Sequence, residues 1–590
     1  MRILDVDGEL HRIGVGRAFA PSVIVFLDPS CPIASRIAPR VSEMSAEFTA
    51  AGVHVYGVLS DPLLTPEEGR AYRKESGLQF TLLFDSTGEL AHRLQPTHVP
   101  EAFVLNARDE IVYRGRVDDE FVAVGRKRQQ IQSHDLRDAV RAVVAGESPR
   151  MKRTEPVGCV FEAWDNFDRA SVNYAQHVQP ILSANCIDCH VPGGGAPFRL
   201  DEFRTASRRA SMIREVTRDR WMPPWKAGAG GASFHDERRL SDREIDLLSA
   251  WVEADKPRGG EEFLLPQREV QIGWGLGEPD ATVTMLEPYE LAATGPDQYR
   301  RFVMPSPFDE PTVVTAIDFL PGDPNVVHHV NIFYDTTGAG RARDAADEGP
   351  GYDAFGNQGG LKSAYEWETE GFDIGGWAPG TNGSELPPGV GIELPGGGDI
   401  IIEVHYHLSG RKTSDQSTVG FYVAKEPIER FANGSLMGSV DLDLKAGDGD
   451  YLREIYADVP VDMELLALFP HMHYLGKSVR AEARTPDGEV IPLIQIDDWD
   501  FRWQGFYRYR EPVKIPAGSR IRAWFSYDNS ADNPDNPTMP PKDVGWGWQS
   551  TDEMLEIWMT FIETSEADTE RLQWAHFMSF YRGAAPRKKD

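Results

Sequence analysis

Three successive patterns of apolar and polar residues divide the chain. Over residues 1–150, short apolar runs such as Ser22–Leu27 alternate with stretches whose apolar side chains recur at helical spacing, which predicts an α/β domain. Residues 165–260 are assigned to a second domain, in which an amphipathic helix around Met212 and a capped helix after Ser241 are predicted. Beyond that point, short strand-like segments are separated by Gly, Pro, Asn and Asp. This pattern predicts two all-β domains, over residues 265–426 and 427–590.

Length and charge restrict the possible functions. A chain of 590 residues is too long for one core, and its length predicts about three to five domains. A formal net charge of −31 speaks against a nucleic-acid partner, whose phosphates it would repel. We find no apolar run of about 18 residues that would span a membrane. The residues after Met1 lack the apolar segment of a signal peptide.

Paired histidines are the main candidates for metal chemistry. Six of the 15 histidines lie in pairs in three short apolar segments: His328 and His329, His405 and His407, and His471 and His473. Residues two apart on a strand point to the same face, so His471 and His473 would present two imidazoles to one metal ion. The thioether of Met554 would add a soft ligand suited to Cu(I). Any one of these histidines alone would be read as a core residue, but three pairs favour metal sites.

The sequence Cys186-Ile187-Asp188-Cys189-His190 has the spacing of a c-type haem attachment motif. Cys186 and Cys189 would bind the porphyrin through thioether bonds, and His190 would be the proximal iron ligand. A zinc site is the alternative, but no second CxxC or paired histidine follows nearby. Met222, beside two prolines, is the expected sixth ligand, whereas Met212 lies on an amphipathic helix and is expected in the core.

Cys31 follows an apolar strand and precedes a predicted helix, where the helix dipole favours a thiolate. The segment from Thr97 to Gly115 resembles the proline loop and terminal hairpin of thioredoxin-like and peroxiredoxin-like domains. That resemblance implies a cis Val99–Pro100 bond. Ala34 stands where a CxxC motif would have its second cysteine. Cys159 could instead be the partner of Cys31, either in a structural disulfide or as a resolving thiol.

The histidine pattern resembles the copper type II, ascorbate-dependent monooxygenases, which include peptidylglycine α-hydroxylating and dopamine β-monooxygenases. The resemblance covers roughly residues 268–583. It implies one copper held by His328, His329 and His405, and a catalytic copper held by His471, His473 and Met554. Adjacent histidines on a regular strand point to opposite faces, so His328 and His329 can share a metal only at a bulge or strand end. His407 shares a strand face with His405 and competes with it as a ligand.

This resemblance implies a monooxygenase that inserts one atom of O2 into a substrate C–H bond. Phe469 and Trp558 replace the family's substrate-binding arginine and tyrosine, so we expect a small or peptide-like substrate with apolar or aromatic character rather than a peptidylglycine. The family takes its electrons from ascorbate, whereas here a fused haem c, reduced by an external donor, would supply them. The alternatives are a non-catalytic periplasmic copper-binding or redox protein, or a thiol peroxidase using Cys31.

Residues 171–256 resemble a small class I cytochrome c domain. Such haem is attached outside the cytoplasm, which implies a periplasmic or otherwise exported protein. The expected fold class is therefore multidomain: an α/β thioredoxin-like domain, an all-α cytochrome c domain and two all-β jelly-roll-like copper domains. The expected cofactors are two copper ions and one covalently attached haem c.

Overall fold

A computed structural model describes the whole chain apart from a set of short segments. The residues outside this description are 14–19, 62, 124–125, 129, 162–168, 193, 195, 197, 229–231, 236, 271–272, 296, 355–371, 379–382, 548, 564 and 582–590. The predicted domain boundary at residue 165 lies among them. The chain forms two compact units: unit 1 comprises Met1–Pro224 and Asp236–Val270, and unit 2 comprises Trp225–His235 and Gln271–Asp590. Within the described residues, we find no helix with the length and apolar character needed to cross a membrane.

Unit 1 begins with a mixed sheet flanked by helices and ends in a helical segment. The strands are β1 Arg2–Leu4, β2 Leu10–Arg12, β3 Ser22–Leu27, β4 His54–Leu59, β5 Thr81–Phe84, β6 His98–Val99, β7 Glu101–Leu105, β8 Ile111–Gly115, β9 Phe121–Ala123, β10 Arg126–Lys127 and β11 Cys159–Val160. The α-helices are α1 Pro32–Ala50, α2 Pro66–Glu75, α3 Glu89–Leu94, α4 Asp135–Val144, α5 Gln179–Asn185, α6 Phe203–Arg218 and α7 Asp242–Glu253. Short 3₁₀ turns at Arg169–Ser171 and Glu261–Phe263 and a π-turn at Tyr174–Val178 complete the unit.

The N-terminal sheet has the strand order β5-β4-β3-β7-β8. Strands β3, β4 and β5 are parallel, whereas β7 and β8 run antiparallel to their neighbours. Every residue of β3 is buried, because helices cover both faces of a central strand in such a sheet. Helix α1 begins directly after Cys31, as predicted. The Val99–Pro100 bond is cis, which confirms that expectation.

The helical segment has its own hydrophobic cluster, in which the indole of Trp251 is fully buried. The Trp251 indole N–H donates to the carbonyl of Pro257 over 3.1 Å, which satisfies the polar atom of this large side chain. Ser241 caps α7 with Glu244 in the predicted capping box. Met212 was expected in the core, but 44% of it is exposed, because it lies on the solvent side of α6.

Unit 2 is rich in β-structure. Its strands are β12 Ala281–Thr284, β13 Tyr289–Leu291, β14 Gln298–Pro305, β15 Thr312–Leu320, β16 Val327–Asp335, β17 Tyr352–Asp353, β18 Phe372–Trp377, β19 Ser384–Glu385, β20 Val390–Leu394, β21 Asp399–Tyr406, β22 Thr413–Asp415, β23 Thr418–Val423, β24 Arg430–Gly438, β25 Asp443–Leu444, β26 Tyr451–Val459, β27 Met463–His471, β28 Gly476–Arg484, β29 Val490–Ile496, β30 Tyr507–Ile515, β31 Ser519–Tyr527, β32 Val544–Gly545 and β33 Glu556–Glu563. Helices α8 Ala339–Asp344 and α9 Glu566–Phe577 and 3₁₀ turns at Phe501–Trp503 and Met578–Tyr581 accompany them.

Three larger sheets make up unit 2. A five-stranded sheet has the order β17-β14-β21-β16-β18, and a four-stranded sheet has the order β26-β31-β28-β29. The third sheet runs through both predicted all-β domains, because β20 of the first pairs in parallel with β24 of the second. Two hydrophobic clusters, one in each predicted all-β domain, contain most of the buried apolar residues of unit 2. The two halves are therefore joined by backbone hydrogen bonds rather than only linked in sequence.

One segment departs from the predicted domain limits. Trp225–His235 was assigned on sequence to the helical domain of residues 165–260, but it belongs to unit 2. Trp225 packs edge-on against Tyr507 with ring centroids 5.3 Å apart, and Phe234 packs on Tyr507 and Tyr509. Aromatic burial of this kind outweighs proximity in sequence.

Candidate metal centres

Three histidines converge at neighbouring strands of unit 2. His329 in β16 lies directly opposite His405 in β21. The Nδ1 atom of His329 lies 3.0 Å from Nδ1 of His328 and 3.3 Å from Nδ1 of His405. Three imidazole nitrogens at this spacing form a group that could hold a metal ion.

A β-bulge brings the adjacent histidines to the same site. Val327 pairs with Tyr406 and His329 pairs with His405, so His328 is an extra residue in β16. The extra residue bends the strand and re-aims its side chain. The structure therefore contains the irregularity that a shared site for His328 and His329 requires.

Asp297 fixes the orientation of His405. Its Oδ2 lies 3.0 Å from His405 Nε2, and its Oδ1 lies 3.0 Å from His407 Nδ1. A proton on Nε2 leaves the His405 Nδ1 lone pair directed at the other two histidines. Burial opposes ionisation of Asp297, but the hydrogen bonds with the two histidines hold its pKa well below the ordinary value. His407, with 59% of its side chain exposed, contacts this carboxylate rather than the three-histidine group.

The surroundings of the three histidines favour the neutral form that binds metals. Burial lowers the pKa of His328, His329 and His405, and the neighbouring imidazoles lower those of His328 and His329 further. Neutral imidazole is the ligand form, because a protonated ring has no free lone pair.

The second pair of histidines lies at the end of β27. The strand ends at His471, so His473 is not on a regular strand as the sequence predicted. The two rings nevertheless remain adjacent, with centroids 5.1 Å apart. Nδ1 of His471 lies 2.6 Å from the side-chain oxygen of Gln504, and Nδ1 of His473 lies 3.1 Å from the carbonyl of Asp552. Donation by both Nδ1–H groups leaves the Nε2 lone pairs available to a metal.

Glu553 holds this second group together. Its buried carboxylate accepts the backbone N–H groups of His473 at 2.9 Å, Leu475 at 2.7 Å and Met554 at 3.2 Å. Burial raises the pKa of Glu553 to about 8, and these amide donors oppose the rise. One side chain thus connects the turn after β27 to the segment that precedes β33. Glu553 is therefore a positioning residue for both His473 and Met554.

One cavity reaches both histidine groups. His329 of the three-histidine group lines it together with His471, His473 and Met554. The ring centroids of His329 and His471 are only 6.2 Å apart. The remaining lining residues are Tyr299, Asn331, Glu403, Phe469, Glu556 and Trp558.

The ring of Phe501 contacts histidines of both groups. Its ring stacks on His328 with centroids 5.5 Å apart and also contacts His405 and His473 at 5.8 and 5.7 Å. Because Phe501 comes from the second half and two of these histidines come from the first, the aromatic contact fixes the halves against each other at the candidate centre.

Two buried acidic side chains line the cavity; one is paired with an arginine, and the surroundings of the other favour its neutral form. Glu403 pairs with the buried Arg301 at 2.8 Å. Burial and the nearby Glu403 raise the pKa of Glu556 to about 8. Phe469 and Trp558 supply the apolar part of the wall.

The CxxCH segment lies at the end of α5. Nδ1 of His190 is 2.8 Å from the carbonyl of Phe198, which fixes the ring and leaves Nε2 for a ligand. Burial raises the pKa of Cys186 to about 12 and also raises the pKa of Cys189. Met222 is half-buried after α6, where its backbone N–H donates to the Val216 carbonyl over 3.0 Å.

The remaining two cysteines lie together. The sulfur atoms of Cys31 and Cys159 are 2.6 Å apart, although the residues are 128 positions apart in sequence. Both are free thiols in the structure. The proximity of Cys159 to Cys31 confirms that part of the sequence interpretation.

Comparison with known proteins finds similar sequences for two parts of the chain. Residues 12–114 match the AhpC/TSA family, so the N-terminal domain is thioredoxin-like. MOXD1 homolog 1 of Drosophila melanogaster is 23% identical over 264 residues, which cover 40% of this chain and 35% of that protein. DBH-like monooxygenase protein 1 of Mus musculus is 26% identical over 164 residues, which cover 25% of this chain and 27% of that protein. The chain thus spans about a third of the length of these relatives, and the similarity is weak.

Two solved structures are similar to part of the chain. A hypothetical protein from Sinorhizobium meliloti 1021 is 22% identical with a TM-score of 0.26, and the match covers 28% of this chain and 92% of that one. A secreted disulfide oxidoreductase of Mycobacterium tuberculosis is 20% identical with a TM-score of 0.17, and the match covers 19% of this chain and 79% of that one.

Sequence reasoning identified the histidines but missed the residues that orient them. Asp297, Gln504 and Phe501 lie far in sequence from the histidines that they contact, and no local pattern marks them. Glu553 did carry a signal, because it is an acidic residue directly before Met554 and an apolar strand.

We expect His405→Ala to remove one Cu(I) equivalent per chain, because it deletes a buried nitrogen of the three-histidine group. His407→Ala is the matched control and should keep both equivalents, since its ring lies outside the group. Titration of the metal-free protein with Cu(I), followed by elemental analysis, measures both. Equal losses in the two variants would contradict the assignment of His405.

We expect Glu553→Ala to weaken Cu(I) binding at His471 and His473 while leaving the three-histidine group loaded. The substitution leaves buried amide donors unsatisfied at roughly 1–3 kcal/mol each, which releases the turn that carries His473. The exposed Glu489→Gln is the control. The same Cu(I) titration should give one equivalent for Glu553→Ala and two for the control; two in both would show that the carboxylate does not position the ligands.

Proposed function

We propose that the protein is a copper-dependent monooxygenase that inserts one oxygen atom from O2 into a substrate C–H bond. The observation that carries this proposal is one cavity lined both by His329 of the three-histidine group and by the two histidines and the methionine of the second group. The weak similarity to proteins named as monooxygenases supports the same reaction class.

The donor sets fit copper. His328, His329 and His405 would hold one ion through Nδ1, a set without a thioether. His471, His473 and Met554 would hold the other, and the soft thioether favours Cu(I). Bound copper would supply one-electron redox chemistry and activation of O2. The protein's contribution is to keep the imidazoles neutral, oriented by Asp297, Gln504 and the Asp552 carbonyl, and buried away from bulk water.

The cavity wall supports a substrate without a carboxylate. Arg301 is already paired with Glu403, so it is not available to bind a substrate carboxylate. Phe469 and Trp558 offer apolar and aromatic contact. An apolar or aromatic organic molecule therefore fits this wall better than a peptidylglycine.

A covalent haem c is the proposed electron source. Cys186 and Cys189 would carry it, His190 would be the proximal ligand and Met222 the sixth ligand. The orientation of His190 by the Phe198 carbonyl supports this assignment. Bound haem would pass single electrons from an external donor to the copper centres. Attachment of such haem outside the cytoplasm leads us to propose a periplasmic or exported protein.

Met554→Ala should abolish substrate-dependent O2 consumption while the copper held by His328, His329 and His405 remains. The reason is that the thioether belongs only to the second donor set. An oxygen electrode measures turnover, and elemental analysis measures the copper that is retained. A wild-type protein that binds two coppers but consumes no O2 with any reductant would instead indicate a copper-binding protein without turnover.

We expect one haem per chain that survives denaturation and acid-acetone extraction, because thioether bonds are covalent. Conversion of both Cys186 and Cys189 to serine should remove it, whereas Cys159→Ser should not. Haem staining of a denaturing gel, together with the intact mass, measures the attachment. Zinc bound by the wild-type CxxCH segment, or haem that extracts freely, would contradict the prediction.

A further inference from the structure

A strand of the chain itself covers the edge of the thioredoxin-like domain beside Cys31. β11 pairs antiparallel with β6, and Cys159 lies opposite Val99. The N–H of Phe161 donates to the carbonyl of Thr97 over 2.9 Å and extends the pairing. Among the described residues, β6 has no other strand partner. Addition of an extended segment to a strand edge is a common mode of peptide recognition.

This strand brings one thiol to the other. The Cys31 sulfur is fully buried and lies 3.2 Å from the Val99 carbonyl oxygen. Cys159 is half-buried, 2.6 Å away, and faces Cys31 from the added strand. Because Ala34 removes the local CxxC partner, a second thiol can reach Cys31 only from a distant part of the chain.

Side chains on both flanks of Cys159 hold the strand in place. Val157 and Phe161 pack against the core of the thioredoxin-like domain, and the Phe161 ring lies 5.8 Å from that of Phe26. Gly158 permits the close approach, because a Cβ atom there would lie 2.0 Å from the Val99 carbonyl oxygen. The segment is therefore shaped to dock at this edge.

We propose that residues 157–161 are an internal substrate strand of the thioredoxin-like domain, and that Cys31 and Cys159 form a reversible intrachain disulfide by exchange with an external small-molecule disulfide. This activity is separate from the metal chemistry of unit 2. In the reduced state, the strand covers Cys31 and prevents external thiol reagents from reaching it.

The exchange balances in two steps. The Cys159 thiolate attacks the external disulfide RS–SR, forms the mixed disulfide Cys159–S–S–R and releases one RS⁻. The Cys31 thiolate then attacks the Cys159 sulfur, forms the intrachain disulfide and releases the second RS⁻. The two cysteines are oxidised by two electrons, and the external disulfide is reduced to two thiols. Burial and the neighbouring Cys31 raise the pKa of Cys159 to about 11, so the first step should accelerate as the pH rises.

Gly158→Ala tests the role of the strand without removing either cysteine. The added methyl group cannot fit against the Val99 carbonyl, so the strand should leave the edge. In the reduced full chain, we expect Cys31 of this variant to react with a maleimide at least about tenfold faster than Cys31 of the wild type. Phe161→Ala, which removes the ring anchor, should act in the same direction if Gly158→Ala does not fold. Val160→Ala is the control, because 73% of Val160 is exposed.

Oxidation with glutathione disulfide provides the second measurement. Peptide-resolved mass spectrometry of the wild-type chain should find Cys31 linked to Cys159, and dithiothreitol should reverse the link. Cys31→Ser should stop at glutathione on Cys159. Maleimide reaction of Cys31 at the same rate in the wild type and in both strand variants would overturn the proposal. A stable glutathione adduct on wild-type Cys159 without the intrachain link would overturn it as well.

Discussion

The antiparallel register between β16 and β21 is the constraint on which the metal-binding region depends. This register sets His329 opposite His405, and a single extra residue in β16 turns His328 toward the same point. A one-residue shift of register would move every side chain of a strand to the other face and would disperse the three nitrogens. All eight residues of β21 are buried, so a shifted register would have to repack the side chains on both faces of the strand.

A second group of ligands depends on a different kind of constraint. His473 and Met554 lie on segments that are not regular strands, so sheet pairing cannot place them. The Glu553 carboxylate does so by binding the backbone of both segments. Its burial is tolerated because several amide N–H groups satisfy the carboxylate, in the way that buried polar groups generally require.

The sequence predicted the ligand residues of both groups but not the contacts that bring these residues together. Pairing in apolar segments drew attention to the histidines, and the resemblance to the copper monooxygenases then selected His328, His329, His405, His471, His473 and Met554 as ligands. The bulge at His328, the end of β27 at His471 and the contacts of Asp297 and Phe501 depend on partners distant in sequence. The aromatic packing that places Trp225–His235 in unit 2 likewise depends on Tyr507 and Tyr509, which no local pattern connects to it.

The parallel pairing of β20 with β24 has a mechanical consequence. Among the described residues, Val390 pairs with Arg430 and Gly391 pairs with Phe431, and this pairing joins strands of the two halves in one sheet. Paired strands are held about 4.8 Å apart by their hydrogen bonds, whereas a flexible linker would leave the two halves free to move. A displacement of one half of unit 2 against the other would therefore have to break backbone hydrogen bonds at this junction.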